Sequence, residues 1–132
     1  MSDPMQDPAV LKSLQWQRHC DRLEEAVRLT SARERALHNA TDGGRDEAQR
    51  LFVAAAKVRD DFIDDLEAQA SALVHVPAQS FEGAAAKLAV VIRAEEPSPT
   101  DPTPPFPALR SVKADLDRLI AAMKGNAAND DG

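Results

Sequence analysis

Apolar and small side chains recur along the first third of the chain at alternating steps of four and three residues. The series consists of Trp16, Cys20, Leu23, Val27, Thr30 and Leu37, with Glu34 interrupting it. This heptad spacing places its members along one side of a helix. Asp7 followed by Pro8 is typical of an N-cap and a first helical position. The pattern predicts one long helix over about 8–39.

A second apolar stripe follows a break at Gly43 and Gly44, and it predicts a helix over about 45–74. Its members are Leu51, Ala55, Val58, Phe62, Leu66, Ala70 and Leu73. We expect the two glycines to supply the unusual backbone angles of a helix reversal. A short connection between two long amphipathic helices predicts an antiparallel hairpin.

A third helix is predicted over about 81–95, because Pro77 ends the second helix and Ser80 is typical of an N-cap. Its predicted apolar face consists of Phe81, Ala85, Leu88, Val91 and Ile92. Gly83 lies in the first turn, where we expect it to let another backbone come close.

Six prolines between positions 97 and 107 predict an extended, stiff spacer over about 97–106. Pro102 to Pro105 has the P-x-x-P spacing of an SH3 ligand, but this motif is short and common, so a linker between helices is preferred. A last helix is predicted over about 107–124, with Gly125 as its C-terminal cap.

Together these elements predict an all-α protein with a single helical domain over 1–125 and a disordered tail over 126–132. The domain divides into the hairpin at 8–74 and a C-terminal helix pair at 77–125. Leu, Val, Phe and Ile account for 28 of 132 residues, whereas alanine, which buries little area, accounts for 24. We therefore expect a thin core, or a partner that supplies further burial.

The formal net charge is −6, from 16 basic and 22 acidic residues. This balance argues against direct binding to nucleic acid or to anionic lipid, which requires a basic surface. The single Cys20 cannot form an internal disulfide, which suits a reducing compartment. The acidic N-terminus is unlike a signal peptide, and no apolar run is long enough for a membrane span. The expected location is the cytoplasm.

The densest charged feature is a set of carboxylates on the second helix. It consists of Asp60, Asp61, Asp64, Asp65 and Glu67, which we call the acidic cluster. One interpretation is a divalent-metal site, and another is imitation of a phosphate backbone. Helical di-metal proteins use a Glu-x-x-His motif, and none occurs here. A solvated helix face is the preferred interpretation.

Three further side chains on the first helix are of types that could carry chemistry or bind a partner. His19 and Cys20 point in different directions on a helix, and zinc would require a second cysteine or other converging ligands. Trp16 is predicted to lie in the core, with an anchor for a protein partner as the alternative. The sequence contains no phosphate-binding loop, dinucleotide fingerprint, nucleophile elbow or zinc-protease motif. No enzyme activity, cofactor or metal is predicted; a carboxylate-lined metal enzyme is the weakest hypothesis.

Two motifs in the last third of the chain point to a family. The first runs from Pro77 through Ser80 and Gly83 to Lys87-Leu88, and the second is Pro107-Ala-Leu-Arg110-Ser followed by Ala-Asp-Leu. They resemble a group of small uncharacterised α-proteobacterial proteins with P-A-x-[ST]-x-x-G-x-A-A-K-L before P-x-L-R-S-x-x-A-D-L. Those proteins often also carry a tryptophan on an N-terminal helix, and many are encoded in prophages or mobile elements.

The resemblance covers about 50 residues and implies no catalytic residue. It draws attention to Gly83, Lys87 and Arg110, for which close packing and a lysine stem lying along the helices are the simpler explanations. Candidate partner-binding residues are Trp16, Asp60, Asp61, Asp64, Asp65, Lys87 and Arg110.

The sequence therefore predicts a non-enzymatic helical interaction protein of a bacterial mobile element or prophage. It is expected to self-associate through the hairpin, because a long heptad seam accompanies a thin core. The alternative is an acidic phage-type inhibitor that occupies the nucleic-acid channel of a host defence or regulatory protein.

Overall fold

The computed structural model describes residues 6–130, and side chains as far as residue 126. This part of the chain forms four helices and no strands: α1 Pro8–His38, α2 Arg45–Leu73, α3 Phe81–Glu95 and α4 Phe106–Asp130. The all-α prediction is confirmed. None of these helices is long and apolar enough to cross a membrane.

Contacts group the chain into two compact units. One consists of the residues up to Gln15 and those from Ala70 onward, and the other is Trp16–Gln69. Both boundaries fall inside helices, whereas the sequence suggested a division between 74 and 77. One reason for the difference is that Asp7, directly before α1, binds Gln79 and Ser80, directly before α3. The single domain over 1–125 stays a prediction.

The Trp16–Gln69 unit is a pair of helices. Trp16 Nε1 donates to the carbonyl oxygen of Leu66 at 3.0 Å, and both residues are buried. His19 Nδ1 and Gln69 Oε1 lie 3.1 Å apart. Thr30 is buried and satisfies its hydroxyl by donating to the carbonyl of Ala26 at 2.8 Å. These contacts support the antiparallel hairpin, which stays a prediction.

The connection between α1 and α2 does not use unusual glycine angles. Gly44 N donates to the carbonyl of Thr41 at 2.9 Å, and its own carbonyl receives the N–H of Ala48. No glycine among the described residues has a positive φ, so the expected role of Gly43 and Gly44 is wrong. Backbone hydrogen bonds of the ordinary turn type close this connection.

In the other unit, α3 and α4 run antiparallel. Arg110 near the start of α4 pairs with Glu96, the C-cap of α3, and Lys124 lies 4.0 Å from Glu82 in the first turn of α3. The buried residues of α3 are Gly83, Ala85, Val90 and Ile92. Phe81 and Val91, which the sequence placed on the buried face, are exposed. The buried side of α3 includes Gly83, which packs against Asp7.

The proline-rich segment is not an extended spacer. Thr103 N–H donates to the Asp101 carboxylate at 2.7 Å, and Phe106 N–H donates to the carbonyl of Thr103 at 3.1 Å. The segment is therefore a series of turns, because Asp101 supplies an acceptor to the backbone that follows it.

Helix α4 is longer than predicted and runs through Gly125 to Asp130. Gly125 keeps a negative φ, so it is not a left-handed cap. Alanines at 127 and 128 favour continuation of the helix over a break. The predicted tail is helical as far as 130; residues 131–132 lie outside the described range.

Candidate functional site

The Asp7 carboxylate links the N-termini of two helices. Its Oδ1 accepts the N–H of Ala9 at 2.9 Å, which makes Asp7 the predicted N-cap of α1. Its Oδ2 accepts the N–H of Gln79 at 2.9 Å and the hydroxyl of Ser80 at 2.7 Å. Ser80 Oγ in turn accepts the N–H of Gly83 at 3.0 Å, which confirms Ser80 as the N-cap of α3. The Asp7 carboxylate thus joins the start of α1 to Gln79 and Ser80, which lie 72 and 73 positions later in the chain.

These hydrogen bonds keep the Asp7 carboxyl ionised. The bond from the Ser80 hydroxyl is the largest cause that lowers its pKa below the ordinary value of 3.8. Burial opposes this change, and the backbone N–H groups of Ala9 and Gln79 lower the pKa further. The positive ends of two helix dipoles also favour a negative charge here. The Asp7 carboxylate is therefore a structural link between Ala9, Gln79 and Ser80, which we call the Asp7 clasp. Both of its oxygen atoms already accept hydrogen bonds.

Gly83 gives the Asp7 carboxylate its space. A Cβ atom placed at position 83 would lie 2.1 Å from Asp7 Oδ2 and 3.2 Å from the Cβ of Ala78. The sequence correctly predicted a close approach, but the approaching group is a side chain and not a backbone. The glycine of the first family-like motif is therefore explained by packing.

Lys87 lies one turn further along α3 and binds the chain that follows α2. Its Nζ donates to the carbonyl of Val76 at 2.8 Å and lies 3.4 Å from that of Val74. These carbonyls come directly after the end of α2 at Leu73, where acceptors lack helical donors. The lysine of the motif binds its own chain.

Arg110, from the second family-like motif, holds the proline-rich segment. Its Nε donates to Glu96 Oε2 at 3.0 Å, and its NH2 group donates to the carbonyl of Asp101. Hydrogen bonds from Thr103 are the first cause that lowers the pKa of the Asp101 carboxyl, and the Arg110 charge adds to them. Arg110 is thus also committed to contacts within the chain.

Trp16 and Cys20 are buried in the Trp16–Gln69 unit, at 4% and 8% exposure, as the core interpretation predicted. A partner anchor must be exposed in the free chain, so the burial of Trp16 argues against this role, which stays a prediction. The short bond to Leu66 in the facing helix explains how the indole N–H is satisfied there.

All five carboxylates of the acidic cluster are exposed. Two of them have basic neighbours on the same helix: Lys57 pairs with Asp61 and Arg59 with Asp60, each at 3.0 Å. Within residues 6–130, no group of three or more His, Cys, Asp or Glu side chains is placed to hold a metal ion. The cluster is a charged surface that is partly compensated.

Large apolar side chains also remain exposed in both units. On α1 and α2 they include Val27 and Val58 of the predicted stripes, at 42% and 51% exposure. On α4 they are Val112, Leu119 and Met123, which recur on one side of the helix. The sequence pattern alone did not identify these α4 residues as exposed surface.

Comparison of the chain with protein-family models, curated proteins and solved structures returned no match. The α-proteobacterial resemblance therefore stays a prediction.

Proposed function

We propose that this chain is a non-enzymatic helical protein that acts by binding protein chains, first of all a second copy of itself. The observation that carries the proposal is the exposure of Val27 and Val58, which lie on the apolar stripes of a unit made of two helices. Two helices cover only one side of each other, so part of an apolar stripe stays open to a further helix. A second copy supplies two such helices.

The N-cap residue Asp7 and two polar residues of the family-like motifs support a non-enzymatic function. The hydrogen bonds of these side chains are made to groups of the same chain: Asp7 to Ser80, Lys87 to Val76 and Arg110 to Glu96. This arrangement is suited to holding helices and turns in place. A mobile-element or prophage origin is part of the proposal and rests on the sequence resemblance.

Light scattering and sedimentation velocity of the full chain test self-association. A single chain has a mass of 14.3 kDa, and we expect about twice this value at micromolar concentration, with dissociation on dilution. An interface dominated by apolar contact should persist at high salt, because salt screens ion pairs but not apolar burial. A mass of one chain at every concentration and salt level would contradict the proposal.

The second candidate is an inhibitor whose acidic cluster imitates nucleic acid. The exposure of all five carboxylates favours it, while the ion pairs of Lys57 and Arg59 reduce the negative charge of the surface. The test is capture of a nucleic-acid-binding protein from a bacterial lysate, with heparin as competitor. Conversion of Asp60, Asp61, Asp64 and Asp65 to Asn should abolish capture; retained capture would exclude imitation of a phosphate backbone.

A further inference from the structure

The connection between α1 and α2, residues 39–44, continues helical hydrogen bonding on both of its sides. Asn39 N–H donates to the carbonyl of Arg35 at 3.0 Å, and Ala48 N–H donates to that of Gly44 at 3.1 Å. Each bond spans four residues, as in an α-helix. No residue of the connection has a positive φ. The hairpin therefore differs from one straight helix only at backbone angles within this connection.

Neither the backbone nor the available space requires glycine at positions 43 and 44. A Cβ atom at Gly43 would meet nothing within 4 Å, and one at Gly44 would lie 3.9 Å from the carbonyl oxygen of Thr41, which is an ordinary contact. The backbone angles of both residues are open to other side chains, because neither φ is positive. What distinguishes the two glycines here is their poor helix propensity. They therefore act against straightening of the connection.

The four-and-three spacing of α1 continues in one register through the connection into α2. Beyond Leu37, the positions that these steps reach are Thr41, Gly44, Ala48, Leu51, Ala55, Val58 and Phe62. The last four of these positions belong to the apolar stripe of α2. A loop that only reverses the chain imposes no such relation on the two helices that it joins. If α1 and α2 straightened into one helix, their two seams would form one continuous heptad seam.

The contacts that α1 makes with later parts of the chain can be remade between two copies. The Trp16 indole donates to the carbonyl of Leu66. The carboxylate of Asp7, directly before α1, accepts the Ser80 hydroxyl. In both contacts one partner precedes the connection and the other follows it. Each contact can therefore form with the second copy, and it forms twice because of the twofold symmetry. Such an exchange requires no uncovered apolar surface.

We propose that two copies of this chain pair by exchanging α1, so that α1 of each copy packs on α2 of the other. In that dimer α1 and α2 of each copy form one helix, and the two long helices run antiparallel about a twofold axis at the connection. Gly43 and Gly44 hold the free chain in its hairpin and so set the concentration at which exchange begins. The inference rests on the proposed self-association and names how the two copies hold each other.

Alanine in the connection tests the role of the two glycines. Sedimentation equilibrium of the full chain compares the wild type with the double variant Gly43→Ala, Gly44→Ala. We expect the double variant to dimerise more tightly by about tenfold or more, because alanine favours the straight helix. Gly125→Ala is the matched control, since a Cβ there also meets nothing within 4 Å but the residue lies in α4, and it should leave dimerisation unchanged. Equal dimerisation of the wild type and the double variant would overturn the proposal.

The distance between two labels within one chain shows whether the connection opens. Spin labels are attached at the exposed positions Glu25→Cys and Asp64→Cys of a Cys20→Ala chain, and circular dichroism verifies that this chain keeps its helices. It is refolded with an excess of unlabelled chain, so that a dimer rarely contains two labelled copies. Packed helices lie about 10 Å apart, whereas one straight helix separates the labels by about 58 Å, at about 1.5 Å per residue. We expect the long distance in the dimer and the short one in the monomer.

The outcomes separate the exchange from the proposed function. A wild-type chain that stays monomeric at every concentration refutes both. A dimer that shows only the short distance overturns the exchange and retains the proposed self-association, and its loss in Val58→Glu would place the interface on the exposed part of the α2 stripe. A dimer that shows the long distance, and that alanine in the connection strengthens, supports both.

Discussion

The Asp7 carboxylate occupies the space that a side chain at Gly83 would fill. Asp7 Oδ2 lies 2.1 Å from the position a Cβ would take at residue 83, well inside van der Waals contact. Because Asp7 is also the N-cap of α1, and Ser80 that of α3, the absence of one methyl group allows two helix starts to share one acceptor.

Gly83→Ala should destabilise the protein although alanine favours helix. Moving the carboxylate and loosening its hydrogen bonds should cost about 1–3 kcal/mol, as overpacking usually does. Gly125→Ala is the matched control, because nothing lies within 4 Å of a Cβ there and the residue is helical. It should stabilise the protein by up to about 1 kcal/mol. Urea unfolding followed by circular dichroism measures both changes.

A double-mutant cycle isolates the contact between Asp7 and Gly83. Asp7→Ala removes the carboxylate with which a side chain at position 83 would clash. In that background Gly83→Ala should therefore lower the free energy of unfolding much less than it does in the wild type. Equal costs in the two backgrounds would show that the clash is not the reason for glycine at this position.

The Asp7 clasp should make stability fall in acid. Its pKa is lowered in the folded chain, so the stabilisation is present above the ordinary value of 3.8 and is lost as pH falls through the lower, folded value. In Asp7→Asn this contribution is removed. The wild type should therefore have the higher Tm at neutral pH, and the difference should shrink below pH 3.8. If the difference in Tm between the wild type and Asp7→Asn did not change with pH, the Asp7 carboxyl would not be ionised in the way described.

Lys87→Met should destabilise the chain that follows α2, because methionine keeps an apolar side chain of similar length but cannot donate a hydrogen bond. The loss of the bond to the Val76 carbonyl is expected to cost about 1 kcal/mol. Lys57→Met is the control, because Lys57 makes a solvent-exposed ion pair with Asp61 that is worth about 0.3–0.5 kcal/mol. Thermal unfolding compares the two, and faster amide exchange at residues 74–76 should be confined to Lys87→Met.

Trp16→Phe should destabilise the Trp16–Gln69 unit through its lost hydrogen bond. Phenylalanine retains most of the apolar contact but cannot donate to the Leu66 carbonyl, which should cost about 1 kcal/mol. Since the chain has a single tryptophan, its fluorescence in the wild type reports on this unit alone. A native emission maximum typical of exposed indole would contradict the burial of Trp16.

Much of the local structure could be predicted because its signals lie within a few residues of one another. Asp7-Pro8 and Ser80 mark helix starts by supplying acceptors to N–H groups two or three positions away. The bounds of α1, α2 and α3 agree with the predicted ones to within a residue for the same reason. The end of α4 was missed because a glycine can remain in a helix when its neighbours favour one.

The sequence by itself determined the all-α class, the helix starts and the core position of Trp16, since periodicity and capping act locally. Only the tertiary structure decided that Asp7 clasps Ser80, 73 positions away, that Lys87 binds the carbonyls after α2, and which side of α4 stays exposed. These features depend on which helices approach one another and at what rotation. That choice is made by side-chain packing across the whole chain, and no short segment encodes it.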